Sequence, residues 1–276
     1  MLAGVAGLFM NVVTSGLNSA DAVLVTVTST RGSVPRERGA WMLVFADHAS
    51  GTIGGGHLEL QAMVRARQML AGEPVEPEQS LSLGPALGQC CGGVVSLAYE
   101  FVRESDLESV QSRLAARRLP VALFGGGHVG RAIVDALSLL PFDIRWIDSR
   151  DEIFPAKVPA GVTCEHSDPV QAAVRDLAAQ SRVLIMSFSH AEDLDIVAAC
   201  LARLRDKDDL AYVGLIGSRT KWATFRHRLQ ERGFTAAELD RITCPIGIPG
   251  IVGKEPEIIA ASVAAQILQL ARDRLA

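Results

Sequence analysis

Short apolar runs and helically spaced apolar positions alternate along this chain, and the way they alternate divides it in two. From Asp21 the run AVLVTVTST is rich in β-branched residues and stops at Arg31-Gly32, which predicts a strand. After the turn-forming VPRERG, AWMLVF predicts a second strand paired with the first. In HLELQAMVRARQMLAG, Leu58, Met63, Ala66 and Leu70 recur near helical spacing and Gly72 marks the stop, so a helix is expected to cover this small sheet. The Pro/Glu-rich GEPVEPEQ reads as an exposed connector, and SLSLGPALGQCCGGVVSLAYEFV as strand, Gly-rich loop and strand. Residues 103–119 are charged and helical in pattern, and Pro120 ends them.

Beyond Pro120 the pattern becomes regular. PVALF predicts a buried strand, HVGRAIVDALSLL a helix and FDIRWID a second strand, together a βαβ unit. The alternation continues through VTCEH, a helix from Pro169 to Ala179, RVLIMSFS, a helix through Leu194 to Leu204, and AYVGLIG, which predicts a parallel doubly wound sheet. The tail from Lys254 to Arg274 predicts a long amphipathic helix with Ile258, Ile259, Val263, Ile267 and Leu270 on its apolar face. The apolar stretch Met1 to Val13 predicts an N-terminal helix packed on the first domain.

The strongest local signal lies in the second half. Gly125-Gly126-Gly127-His128-Val129-Gly130 is a G-x-G-x-x-G between a strand and a helix, where glycines permit a tight turn and bring a pyrophosphate onto a helix N-terminus. Asp148, at the end of the next strand, is positioned to accept ribose hydroxyls, which favours NAD or another adenine nucleotide over NADP; Arg150 beside it could restore NADP binding. The alternative is a fold that keeps the glycines for packing around a vacant or repurposed pocket. The fold class expected is α/β: a small N-terminal α/β domain over residues 1–102, a linker helix over 103–118 and a Rossmann-type doubly wound domain over 119–276.

Other loops carry candidate chemistry. Arg31, Gly32, Ser33 and Arg36 in the first hairpin turn, with Gly54, Gly55, Gly56 and His57 at a helix start, would suit a phosphate or oxoanion, although such turns are also plain turns. Cys90 and Cys91, followed by Gly92, have the wrong spacing for zinc. As accessible thiols they would contact a soft metal or accept persulfide sulfur; as small hydrophobes they would simply be buried. Ser187-Phe188-Ser189-His190 and Gly217-Ser218-Arg219 follow strands whose carboxyl ends bind ligands in such sheets. Arg219 with Ser218 suits a phosphate, while His190 either orients a substrate or serves structure.

Composition limits the partners. The 276 residues carry a net charge of −4 with Lys and Arg scattered, so no basic stripe for nucleic acid is expected. The apolar start is too short to span a bilayer and lacks a cleavage pattern, so no membrane association is expected. Five cysteines in a chain of this size read as free thiols in a reducing, cytoplasmic setting.

In order along the chain, VTVTSTRGSVPRERGAWMLV, GTIGGGHLE, LGPALGQCCGGVVSLAYE, VALFGGGHVGRAIVDAL, YVGLIGSRTKW and CPIGIPGIVGKEPEIIAASVAAQIL resemble the XdhC/CoxI family of accessory proteins of molybdenum hydroxylases. The resemblance implies a cofactor carrier that is not itself a catalyst. It would bind the molybdenum cofactor, molybdopterin, protect it, support its sulfuration by a cysteine desulfurase and deliver it to the molybdenum-binding subunit of apo xanthine dehydrogenase. On this resemblance Arg31 to Pro35, Gly54 to Glu59 and Cys90 to Gly93 become the cofactor-site candidates, with Cys90 or Cys91 near molybdenum. A homodimer is suggested by the apolar helix faces. The rival is an NAD-dependent oxidoreductase using the Rossmann site, with His57, Glu59 and His190 as its evident proton-transfer candidates.

Overall fold

A computed structural model describes residue 17 and residues 20–84, 92–114 and 118–275, the last four by backbone alone. The chain divides into two compact units whose described parts end at 114 and begin at 118.

In the first unit, β1 (Ala22–Arg31), β2 (Trp41–Val44), β3 (Ala49–Gly51), β4 (Glu78–Ser82) and β5 (Val94–Val102) form an antiparallel sheet in the order β3-β2-β1-β5-β4. The β1–β2 hairpin and the β4–β5 pairing follow the sequence reading, and β3, three residues long, was not foreseen. Successive residues of β1 point to opposite faces, and both faces are covered. Val23, Val25 and Val27 pack beneath α1 (Gly56–Leu70) with Leu58, Ala62 and Ala66. Ala22 and Leu24 join Leu43, Phe45, Val102 and Val110 on the other face. Val110 belongs to α2 (Leu107–Leu114), so the helix expected to link two domains instead seals the first sheet. A burial of this kind contributes about 2 kcal/mol per large aliphatic side chain, which decides the helix's place.

The second unit is a parallel sheet ordered β11-β10-β9-β6-β7-β8, from β6 (Leu119–Phe124), β7 (Phe142–Asp148), β8 (Val162–His166), β9 (Arg182–Ile185), β10 (Tyr212–Leu215) and β11 (Ile242–Thr243). Strand order reverses between β6 and β9, the arrangement that opens a crevice at the carboxyl ends of those strands. α3 (His128–Ser138) and α7 (Pro256–Leu275) cover one face through Ile133, Val134 and Leu137 against Ala260, Val263, Ala264 and Ile267. Of the face foreseen for α7, Val263 and Ile267 are buried while Ile258 and Leu270 are exposed, because the smaller Ala260, Ala264 and Ala271 let α3 approach. α4 (His190–Lys207), α5 (Arg219–Glu231) and α6 (Ala236–Leu239) cover the opposite face.

The segment expected as a helix from Pro169 to Ala179 is a 3-10 stretch over Val170–Asp176. The buried Arg203 of α4 explains the difference: Nη1 donates to the Val174 carbonyl at 2.7 Å and Nη2 to that of Leu177 at 2.8 Å. Those carbonyls are held by a side chain rather than by a continuing helix. The α5, α6 and β11 elements were not anticipated. The segment Met1 to Val13 lies outside the described residues.

Candidate functional site

Three loops of the first unit meet at one end of its sheet. Gly54, at φ +127°, lies so close to Pro35 that a Cβ there would overlap the Pro35 ring, which presses the glycine triplet against the Arg31–Arg36 turn. From the other side Gly93 approaches the same turn; a Cβ on it would meet the Arg31 carbonyl oxygen at 2.7 Å, the Val34 Cγ1 at 2.7 Å and the Ser33 carbonyl. The Leu83 amide donates to the Gly93 carbonyl at 2.8 Å, fixing the base of the loop that carries Gly92. Arg31, Gly32, Ser33, Arg36, Gly54, Gly55, Gly56, His57 and Gly92 therefore belong to one cluster. Cys90 and Cys91 lie outside the described residues.

The glycine triplet is held by Glu59. Its Oε1 accepts from the amides of Gly55 at 2.8 Å, Ile53 at 3.0 Å and Gly54 at 3.2 Å, and from the Thr52 hydroxyl. Burial by itself would raise the Glu59 pKa, but the Thr52 hydroxyl and these three amides outweigh it and hold the carboxyl below its ordinary value. The backbone cradle the sequence offered to an external anion is thus largely taken by the protein's own carboxylate. What stays open is the helix start itself: no described residue accepts from the Gly56 or His57 amides, and a Cβ on Gly55 or Gly92 would meet nothing within 4 Å. Arg31 and Arg36 are exposed and pair with no described residue. A cleft of about 130 Å³ is lined by Arg36, Trp41, Gly51 and Thr52.

In the second unit the three motif glycines have distinct duties. A Cβ on Gly125, at φ +126°, would run into the Met186 carbonyl, and one on Gly130 into the carbonyl of Gly125, so strand, turn and helix are packed backbone to backbone. A Cβ on Gly127, the residue capping α3, meets nothing within 4 Å, and Gly127 and His128 are exposed. Room at that position, ahead of unsatisfied helix amides, suits a phosphate. Gly126 is packed against Ile153.

Asp148 is committed within the protein. Its Oδ2 accepts from the Gly126 amide at 2.6 Å and Arg150 Nη2 at 2.9 Å, and its Oδ1 from the Arg150 amide and Nε, both at 2.9 Å. Although burial alone would raise its pKa, Arg150 and the two amides hold the carboxyl below its ordinary value. The acceptor assigned from sequence to ribose hydroxyls is saturated by the neighbouring arginine.

Sequence reasoning missed the buried network at the heads of β9 and β10. Lys221 Nζ donates to Asp193 Oδ2 at 2.6 Å and to the Ile216 carbonyl at 2.9 Å, while Asp193 Oδ1 accepts from the Ser187 amide and hydroxyl at 2.8 and 2.7 Å. Ser189 and Ser218 cap α4 and α5 by accepting from the Glu192 and Lys221 amides. Ser218 therefore serves its own helix, Arg219 is exposed without a partner among the described residues, and His190 is exposed with its ring edge-on to Phe225. The spacing S-x5-D was the available signal for Asp193, but nothing local ties Lys221 to it. No described group of His, Cys, Asp and Glu is arranged to hold a metal ion. Cys200 and Cys244 are free thiols whose burial pushes their pKa values up to about 12 and about 11, and burial also raises that of Cys164.

Comparison with known proteins agrees with this architecture. Residues 121–267 match the family described as the XdhC Rossmann domain, and residues 18–79 match the XdhC and CoxI family. An uncharacterized protein of Escherichia coli (strain K12), YqeB, is 30% identical over 252 residues, which cover 90% of this chain and 43% of that protein. The chain thus spans less than half the length of this relative. A crystal structure described as a xanthine dehydrogenase from Bacillus halodurans matches with a TM-score of 0.75 at 19% identity, over 96% of both chains, a likeness of fold.

Proposed function

The chain belongs to the XdhC and CoxI family, and from that premise we propose that it is an accessory protein of molybdenum hydroxylase maturation which binds the molybdenum cofactor and hands it on. Membership supports the accessory role. The observation that carries the binding site is the convergence of Gly54, at the helix start, and of Gly93 on the Arg31–Arg36 turn. The residues fit the group chemically: molybdopterin is anionic, and here two arginines that pair with no described residue accompany two glycines that leave room for a ligand to touch backbone. When bound, the cofactor supplies dithiolene-held molybdenum and a terminal phosphate. Arg31 and Arg36 would hold the phosphate as bidentate donors, and the Gly56 and His57 amides would add to them. Glu59 keeps the glycine loop in shape. Cys90 and Cys91 would meet the molybdenum or the sulfur to be installed on it.

On this reading the partners are the molybdenum-binding subunit of apo xanthine dehydrogenase and a cysteine desulfurase, with protection and sulfuration of the cofactor before delivery in the cytoplasm. No described helix is long and apolar enough to cross a membrane. A homodimer is part of the proposal, and light scattering tests it. The supporting experiment is replacement of Arg31 and Arg36 by Ala, which should lower the pterin content of protein made in cofactor-producing cells while the fold is kept. Unchanged content would remove the first-unit cluster as the site.

The room at Gly127 favours a second reading, an NAD-dependent oxidoreductase. Asp193 and Lys221, a buried charged pair at the heads of β9 and β10, are engaged with each other, which leaves them poorly suited to proton transfer. A change in nicotinamide absorbance with a hydroxy or amino acid substrate would establish that reading.

A further inference from the structure

The second unit holds an arginine whose surroundings give it a use the fold does not require. We propose that the crevice at the heads of β6, β7 and β9 takes an adenine nucleotide whose ribose carries a 2′-phosphate, and that Arg150 selects it. The inference uses the second unit alone and does not rest on the pterin reading.

A ribose that ends in a free 2′-hydroxyl is normally recognised by a carboxylate at the end of the second strand. Asp148 stands at that position with its side chain 1% exposed, and its four acceptor positions are filled by the Gly126 amide and by the amide, Nε and Nη2 of Arg150. Its negative charge is matched by the guanidinium and its lone pairs are taken, so Asp148 offers a ribose hydroxyl no acceptor. The Ser149 hydroxyl donates to Glu192 Oε1 at 2.7 Å, so it has no proton left to offer a ribose oxygen.

Arg150 is the reverse case. Its side chain is 35% exposed, and two of its five guanidinium N–H groups go to Asp148, which leaves three. On the far side the ring of Phe188, itself 66% exposed, lies 4.4 Å from the guanidinium carbon. With one edge on a buried carboxylate and one face against an aromatic ring, the fork is restrained, and its remaining N–H groups pair with no described residue. A dianionic phosphate accepts from such an edge in bidentate fashion, whereas a lone hydroxyl would leave most of the donors unmatched. The pyrophosphate of the same nucleotide would sit over Gly127, where a Cβ meets nothing and the α3 amides begin.

The test is a calorimetric titration of the full-length protein, purified from cells unable to make the molybdenum cofactor, with NADPH, NADH, adenosine 2′,5′-bisphosphate and adenosine 5′-monophosphate. NADPH and the bisphosphate are expected to bind at least about tenfold tighter than their counterparts lacking the 2′-phosphate. Arg150→Ala should erase that ratio, and Arg150→Lys, which keeps charge but loses the fork, should recover only part of it. Equal or tighter binding of NADH, a ratio unchanged in Arg150→Ala, or binding of none of the four ligands would overturn the inference. Pterin content of Arg150→Lys made in cofactor-producing cells separates the two sources of phosphate. Unchanged content is expected; a fall in pterin without any change in the nucleotide ratio would assign the arginine to the pterin and end the proposal.

Discussion

Gly127 and Gly130 stand three residues apart and answer to opposite constraints. A methyl at Gly130 has to displace the Gly125 carbonyl, whereas one at Gly127 enters open space. Gly130→Ala should therefore destabilise the protein by about 1–3 kcal/mol in urea unfolding, as overpacking does. Gly127→Ala should change stability by less than about 1 kcal/mol yet weaken nucleotide binding. Equal stability effects would contradict the division of labour. Sequence disclosed that the motif glycines matter but not which one faces a ligand, because Gly125 and Gly126 are closed off by Met186 and Ile153, contributed from elsewhere in the chain.

Glu59 gives a pH signature of the same residue-scale kind. Its folded-state pKa lies below its ordinary value of 4.5, so its stabilisation is present above that value and is lost as pH falls through the folded pKa. The stability gap between the native protein and Glu59→Gln should be largest near neutral pH and should shrink in acid. A gap independent of pH would mean that the carboxylate charge is irrelevant. Thiol reactivity offers another check, because burial keeps Cys164, Cys200 and Cys244 protonated at neutral pH. Fast alkylation of the native protein should spare Cys164, Cys200 and Cys244, as peptide mapping would reveal.

At the scale of elements, α4 and α5 are joined to the strand heads by Lys221, Asp193 and Ser187. Lys221→Ala leaves a buried carboxylate without its cation and should cost about 3–5 kcal/mol, while Lys221→Met with Asp193→Leu should recover most of that loss. A single variant as stable as the native protein would mean that the pair is not buried as described. β6, β9 and β10 were legible as short, largely apolar runs flanked by turn residues. α5 escaped notice because its polar sequence RTKWATFRHRLQE buries only Phe225 and Leu229, too sparse a stripe for periodicity. The 3-10 stretch after Pro169 misled for the opposite reason: its composition suits a helix, and only Arg203, some thirty residues later, diverts its carbonyls. β3 is too short to announce itself by pattern.

At the scale of the molecule, sequence separated a small antiparallel sheet from a doubly wound one, and it selected the loops that converge at the first sheet's end. It could not show that Glu59 occupies the backbone cradle or that Arg150 saturates Asp148, since both depend on where side chains settle after folding. The central claim is that this chain carries the molybdenum cofactor. The most direct test is to purify it from cells that make the cofactor and from cells that cannot, and to quantify molybdenum and the fluorescent oxidation product of the pterin. Stoichiometric molybdenum and pterin in the first sample alone, in a form that activates apo xanthine dehydrogenase, is the result predicted; absence of both, with no binding of added cofactor, would contradict it.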